Sequence, residues 1–221
     1  MQILDINLLI TTFVTKKLEM EFLENYTRDK ITIDLVKANI YSLLISLPVG
    51  IIYGVPYGFI WHEQFSIKNI KALAVYMTDT HFSIVIAFFV LFFIGIVLHE
   101  LIHGFVWALY AEKGMKSIKF GVMWKMLTPY CHCKEPLTVK HYITGAIMPA
   151  IILGFLPGLL GIIIGNIGWL LFGFFFTIAA SGDFLIISLV RKERMSDFVQ
   201  DHPSEAGCYI YRDKNENREL Q

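Results

Sequence analysis

The stretch Phe82–Ala111, FSIVIAFFVLFFIGIVLHELIHGFVWALYA, decides the fold and carries the chemistry. Its length and apolar content suit a helix that crosses a hydrocarbon layer of about 30 Å at 1.5 Å per residue. Inside it lie three ionisable residues, His99, Glu100 and His103. A charged residue at the centre of a membrane helix costs roughly 2.5–3.5 kcal/mol, so three such groups this close together call for an offsetting gain. Residues four apart project from one helix face, so both imidazoles can reach one metal ion while Glu100 reaches a water beside it. Metal binding is the gain this pattern offers. The alternative is a pair of interior histidines hydrogen-bonded to other helices, with Glu100 as their partner.

The rest of the chain shares this apolar character. It is 55% hydrophobic and 17% charged over 221 residues, with a mean hydropathy of +0.56. Three further stretches are long enough to span: residues 39–61, 143–165 and 167–190. In hydrocarbon every backbone polar group needs an internal partner, and the period-2 alternation of barrel strands is absent from these segments, so they are expected to be helices. The expected fold is an all-α membrane protein, a bundle of about four transmembrane helices in one domain. Residues 1–37 are read as a cytoplasmic or interfacial segment without a removable signal peptide, and residues 191–221 as a polar cytoplasmic tail.

Charge sets the expected orientation. Of the 19 Lys and Arg, 17 lie before the first span, between the second and third, or in the tail, and 2 lie between the first and second. The positive-inside rule then puts both termini and the 112–142 loop in the cytoplasm and the 61–81 loop outside. The three cysteines fall on the cytoplasmic side, where thiols stay reduced and no disulfide framework is expected. A net charge of zero gives no electrostatic case for nucleic acid.

Small residues recur in two spans. Gly50, Gly54 and Gly58 form a four-residue ridge in the first, and Gly154, Gly158, Gly161 and Gly165 do so in the third, each ridge suited to close helix approach. The cytoplasmic loop follows a different rule. Ile118, Phe120, Val122, Trp124 and Met126 alternate with Lys119, Gly121, Met123 and Lys125, which predicts a short amphipathic hairpin at the membrane surface.

A catalytic zinc takes three protein ligands, so the two histidines need a partner. Asp183 is the sole acidic residue inside any other span. The second and fourth spans run in the same direction. His99 and His103 lie 12 and 8 residues before Ala111, and Asp183 lies 7 before Val190, which places all three at similar depth. The competing reading of Asp183 is a structural carboxyl capped by hydroxyls such as Thr177 or Ser181. Cys131-His132-Cys133 lacks the two-to-four-residue separation of usual zinc pairs and is read as loop structure or substrate contact. His62, His81, His141 and His202 are read as isolated interfacial side chains, with Asp201-His202 one means of covering the site from the cytoplasm.

Taken together, His99-Glu100-Leu101-Ile102-His103 inside a span, a strand-like loop beginning near Gly114, a helix opening Gly145-Ala146-Ile147-Met148-Pro149-Ala150, and an aspartate in a later span resemble the site-2 protease family. The chain is also similar to a bacterial family of membrane zincin peptidases otherwise classed as a domain of unknown function. The resemblance covers roughly residues 82–190, and this chain has Ser181-Gly182-Asp183 where site-2 proteases usually carry Leu-Asp-Gly. It implies a bacterial cytoplasmic-membrane metalloprotease with one zinc per chain held by His99, His103 and Asp183, and with Glu100 as general base. It also implies a membrane-associated hairpin, whose Ile118, Phe120, Val122 and Trp124 would bind a membrane protein or peptide substrate added as a strand. A transporter or metal-handling protein using the same intramembrane residues, and a catalytically dead scaffold, are the rival readings. Oligomeric state and substrate identity are not set by these patterns.

Overall fold

A computed structural model describes residues 24–124, 128–202 and 207–214, so the N-terminal apolar segment, Lys125 and Met126 lie outside the described residues. The helices are α1 (Leu35–Ile60), α2 (Ile67–Ala108), α3 (Val139–Ile164), α4 (Ile167–Ala179) and α5 (Ser181–Val190). Three are long and apolar enough to cross a membrane, over Asn39–Ile60, Phe89–Ala108 and Val139–Ile164; α4 and α5 together make a fourth candidate, bent by 43°. Large apolar side chains on these helices face outward, among them Leu47, Ile51, Phe59, Phe93 and Ile163, as expected of a membrane protein whose solvent there is lipid.

Six strands supplement the helices: β1 (Tyr26–Thr32), β2 (Ile118–Met123), β3 (Thr128–Cys133), β4 (Leu137–Thr138), β5 (Phe198–Asp201) and β6 (Gly207–Asp213). β2 and β3 pair antiparallel, with Ile118 opposite Cys133 and Met123 opposite Thr128. An all-α description is incomplete, because β1 of the N-terminal segment, β5 and β6 of the tail and the two-residue β4 of the loop build a four-stranded antiparallel sheet in the order β1-β6-β5-β4. Tyr26 pairs with Asp213 and Thr32 with Gly207, so segments read as polar appendages form a single sheet. Arg212 ties it together, bonding Glu193 through Nε at 2.6 Å and pairing with Asp29.

The stretch from Trp61 to His81, expected as an external loop, is a short 3₁₀ turn (His62–Phe65) followed directly by α2. The Ser66 hydroxyl caps α2 by accepting from the Asn69 N–H. Helix formation needs hydrogen bonding and a cap rather than continuous hydropathy, which is why Lys68, Lys71 and Asp79 do not interrupt it.

The two glycine ridges have different fates. In α3, Gly154 abuts Thr177 of α4, Gly161 abuts the Leu170 backbone, and Gly158 abuts Gly173; a Cβ at Gly173 would stand 2.2 Å from the Gly158 nitrogen. That is close backbone packing of the kind small residues permit. In α1 the ridge is not the packed face: a Cβ at Gly54 or Gly58 would meet nothing. The buried face carries Val49, Tyr53 and Tyr57, with the Tyr53 ring lying over Gly158. Gly165, at φ +70°, ends α3 in the left-handed conformation, and Asn166 then caps α4.

The second core joins the polar elements to the helix ends. Trp107 of α2, Val139, Tyr142 and Ala146 of α3, Ile186 and Val190 of α5, Ile118 and Cys133 of the hairpin, and Val199, Cys208 and Ile210 of the sheet pack as one cluster. One end of the molecule thus gathers both sheets and the termini of three helices, directly above the motif of α2.

Candidate metal centre

His99 and His103 lie one helical turn apart on α2, with ring centroids 4.8 Å apart. Asp183 reaches them from the first turn of α5, just beyond the bend at Ala180 that separates α4 from α5. His99 Nε2 is 3.1 Å from Asp183 Oδ2 and 3.1 Å from His103 Nε2, and His103 Nε2 is 3.3 Å from Asp183 Oδ1. The hydroxyls considered as caps for Asp183 are engaged elsewhere: Ser181 bonds Ser42, and Thr177 donates to the Gly173 carbonyl.

The donor set fits a zinc ion on two grounds. First, the Gly145 carbonyl lies 2.9 Å from His103 Nδ1 and accepts its proton, which leaves Nε2 with its lone pair facing His99 and Asp183. Lone pairs crowded this closely need positive charge among them. Second, ligand atoms around a tetrahedral zinc at about 2.0–2.1 Å stand about 3.3 Å apart, close to the separation of the two imidazole nitrogens and to that of each from its nearer Asp183 oxygen. Among the described residues, His99, His103 and Asp183 are the one group of three whose ligand atoms converge in this way.

Gly104 and Gly145 set how closely other elements approach. A Cβ at Gly104 would lie 2.4 Å from the Phe120 ring and 2.9 Å from Ile118, so the hairpin rests directly on α2. At Gly145 it would lie 2.1 Å from Trp107 Nε1. Trp107 donates to the Tyr142 carbonyl and is stacked between the rings of His103 and Tyr142, with centroids 5.1 and 5.3 Å away. The helix that carries His99 and His103 is therefore braced on α3 by a continuous aromatic stack.

Glu100 lines a cavity of about 440 Å³ together with His103, Asp183, Val122, Tyr130 and Cys131. Of the four hairpin residues expected to contact substrate, Val122 lines this cavity, Ile118 is buried, Phe120 lies over Gly104, and Trp124 is 79% exposed.

Asp201 and His202, read from the sequence as one means of covering the site, both line the cavity. Asp201 accepts from the Tyr142 hydroxyl at 2.6 Å and from the Cys133 N–H at 2.8 Å, with His132 Nδ1 at 3.9 Å. Burial pushes its carboxyl up, against the opposing effect of those neighbours. No sequence signal pointed to the Gly145 carbonyl. Trp107 was findable, since it continues the four-residue spacing of His99 and His103. The thiols of the loop motif are not converging metal donors. Burial raises Cys131 and holds Cys133 at about 11, and all three cysteines are free.

Residues 92–197 match the model of a family described as "Putative zincin peptidase". The match takes in the α2 motif, the hairpin, α3 and Asp183, and it stops one residue short of β5. It bears out the family-level resemblance read from the residues. No curated protein and no solved structure matches the chain.

Proposed function

We propose, on the premise that residues 92–197 belong to this family of zincin peptidases, that the protein hydrolyses peptide bonds within or beside the bilayer. The observation that carries the reading is the convergence of His99 Nε2, His103 Nε2 and an Asp183 carboxylate oxygen beside Glu100 on one cavity wall. These three residues would hold one zinc per chain. When bound, zinc supplies Lewis acidity, polarising a scissile carbonyl and making water acidic enough to lose a proton near neutral pH.

The chain's own residues do the rest. Glu100, on the wall of that cavity, accepts the proton of the attacking water and returns it to the leaving amine. Gly145 holds the His103 ring in its tautomer, and the Trp107–Tyr142 stack fixes the ring plane. The 17-to-2 charge asymmetry supports an orientation in which the polar end, with its cavity, faces the cytoplasm and admits water from there.

A substrate must present an extended segment, because the peptide bonds of a helix are shielded. Antiparallel pairing alternates the direction of backbone groups, and the Cys133 N–H, opposite Ile118, points away from β2 to Asp201. By the same alternation, Ile118, Phe120 and Val122 direct their backbone groups to the far edge of β2, which is the edge we assign to an added substrate strand.

The test is to reconstitute the zinc-loaded protein in liposomes with membrane proteins whose levels change when it is absent from cells, and to sequence new N-termini. Cleavage that a chelator abolishes and zinc restores is the expected result. Zinc or proton flux without any cleavage would replace the peptidase reading with a transporter.

A further inference from the structure

Gly182 is a helical glycine that neither backbone conformation nor packing accounts for. We propose that it opens a subsite for a large apolar side chain of the substrate beside the scissile bond, with Val122 and Ile186 as the other walls. This rests on the peptidase reading given above and names the class of substrate: an extended segment with a bulky aliphatic or aromatic residue where it is cut.

The glycine itself is the first observation. Within a helix, glycine loses more backbone freedom than alanine, a cost offset where a neighbour must come close or φ is positive. Gly154, Gly158, Gly161 and Gly173 have such neighbours between α3 and α4, as do Gly104 and Gly145 around the metal centre. Gly182 has neither reason. It lies in the first turn of α5 without a positive φ, and a Cβ there would find no atom within 4 Å. The open glycines Gly54 and Gly58 lie on α1, whereas Gly182 lines the cavity of the site, immediately before Asp183.

Two elements make the surroundings apolar. Ile186 follows one turn after Gly182 on the same face of α5 and lines the cavity with it. The hairpin supplies Val122 and, opposite it in register, Pro129. Ile118 and Phe120 share the face of Val122 and rest on Gly104 of α2, so the apolar face that seats the hairpin runs out over the cavity at Val122. Val122 is 40% exposed, which leaves apolar surface for an occupant to cover.

A substrate strand on the far edge of β2 suits this arrangement. Directly paired residues share a face of a sheet, so the substrate residue beside Val122 would direct its side chain into the cavity, where Gly182 leaves room next to Asp183. The subsite is therefore continuous with both the strand edge and the metal centre.

The experiment uses the full chain, zinc-loaded, as wild type, Gly182→Ala and Gly182→Leu, with Gly54→Leu as a control that adds the same side chain at an open glycine away from the cavity. The probes are acetylated amino-acid hydroxamates, which bind zinc and carry beside it the side chain of glycine, alanine, leucine, phenylalanine or lysine. Zinc content is measured, and each affinity is read by calorimetry. Wild type is expected to bind the leucine and phenylalanine probes about 10–100-fold more tightly than the glycine probe, the gain that burying one such side chain brings. Gly182→Leu should keep its zinc and its affinity for the glycine probe while losing most of that gain. Gly182→Ala should lose part of it, and Gly54→Leu none. Equal affinity of wild type for all probes, an undiminished preference in Gly182→Leu, or a loss that includes the glycine probe would overturn the proposal. So would a lysine probe that binds as tightly as leucine, since it would set the side chain against the carboxylates of Glu100 and Asp201. If Gly182→Leu does not fold, Gly182→Ala carries the comparison, its loss being largest for phenylalanine. The affinities decide the matter even if wild type cleaves nothing, an outcome that would sink the peptidase reading alone. Cleavage without any side-chain preference would sink the subsite alone, and a wild type that binds none of the probes would overturn both.

Discussion

Glu100→Gln is expected to lower the rate of peptide hydrolysis by about 10²–10⁴ while zinc content and folding stay at wild-type levels. Glutamine keeps the size and hydrogen-bonding capacity of the side chain at its place on the cavity wall. What it cannot do is take a proton from water. The comparison is made at matched zinc content, on one membrane substrate, under single-turnover conditions, so that slow product release does not mask the chemical step. Equal rates for the two forms would remove Glu100 from the mechanism.

The second large effect concerns the metal. His103→Ala removes a ligand atom within 3.3 Å of both other donors, and with it the ring braced by Gly145 and Trp107. Altering an outer-shell partner typically costs about 10–100-fold in metal affinity, and removing a ligand from a three-ligand site should cost more. Zinc is therefore expected to leave His103→Ala on dialysis against a mild chelator that wild type resists, with His99→Ala and Asp183→Ala behaving alike. Full zinc retention in folded Asp183→Ala protein would show that the third ligand lies elsewhere. Circular dichroism of each variant separates loss of metal from loss of fold.

How much of this was legible depended on whether the governing force is local. A lipid environment demands long apolar helices, so hydropathy located three spans that are single helices and a fourth stretch that is the bent pair α4–α5, and counting depth along the second and fourth brought Asp183 toward His99 and His103. The hairpin was legible because alternation is a property of neighbouring residues. The pairing of β1 with β6 was not. Tyr26–Thr32 is mostly exposed and rich in charge, and nothing within it indicates a partner more than 170 residues away at Gly207–Asp213.

The glycine ridges teach a related lesson. Spacing reveals that a helix has a smooth face but not which face its neighbours cover. In α1 the covered face belongs to Tyr53 and Tyr57, whose hydroxyls bond Thr177 and the Gly165 carbonyl across to α3 and α4. Asp201-His202 could be read as a cover for the site, but the partners of Asp201, the Tyr142 hydroxyl and the Cys133 N–H, arise only once the tail has folded back over the hairpin.

The central claim is that two imidazoles and one carboxylate, and no thiolate, hold a zinc ion in this protein. The most direct measurement is zinc K-edge X-ray absorption on the purified, zinc-loaded wild type. The account predicts about one zinc per chain, a first shell of nitrogen and oxygen alone at about 2.0–2.2 Å, and the multiple-scattering signature of two imidazoles. Sulfur at about 2.3 Å would place the metal on the Cys131–Cys133 segment and contradict it, as would a protein that takes up no zinc.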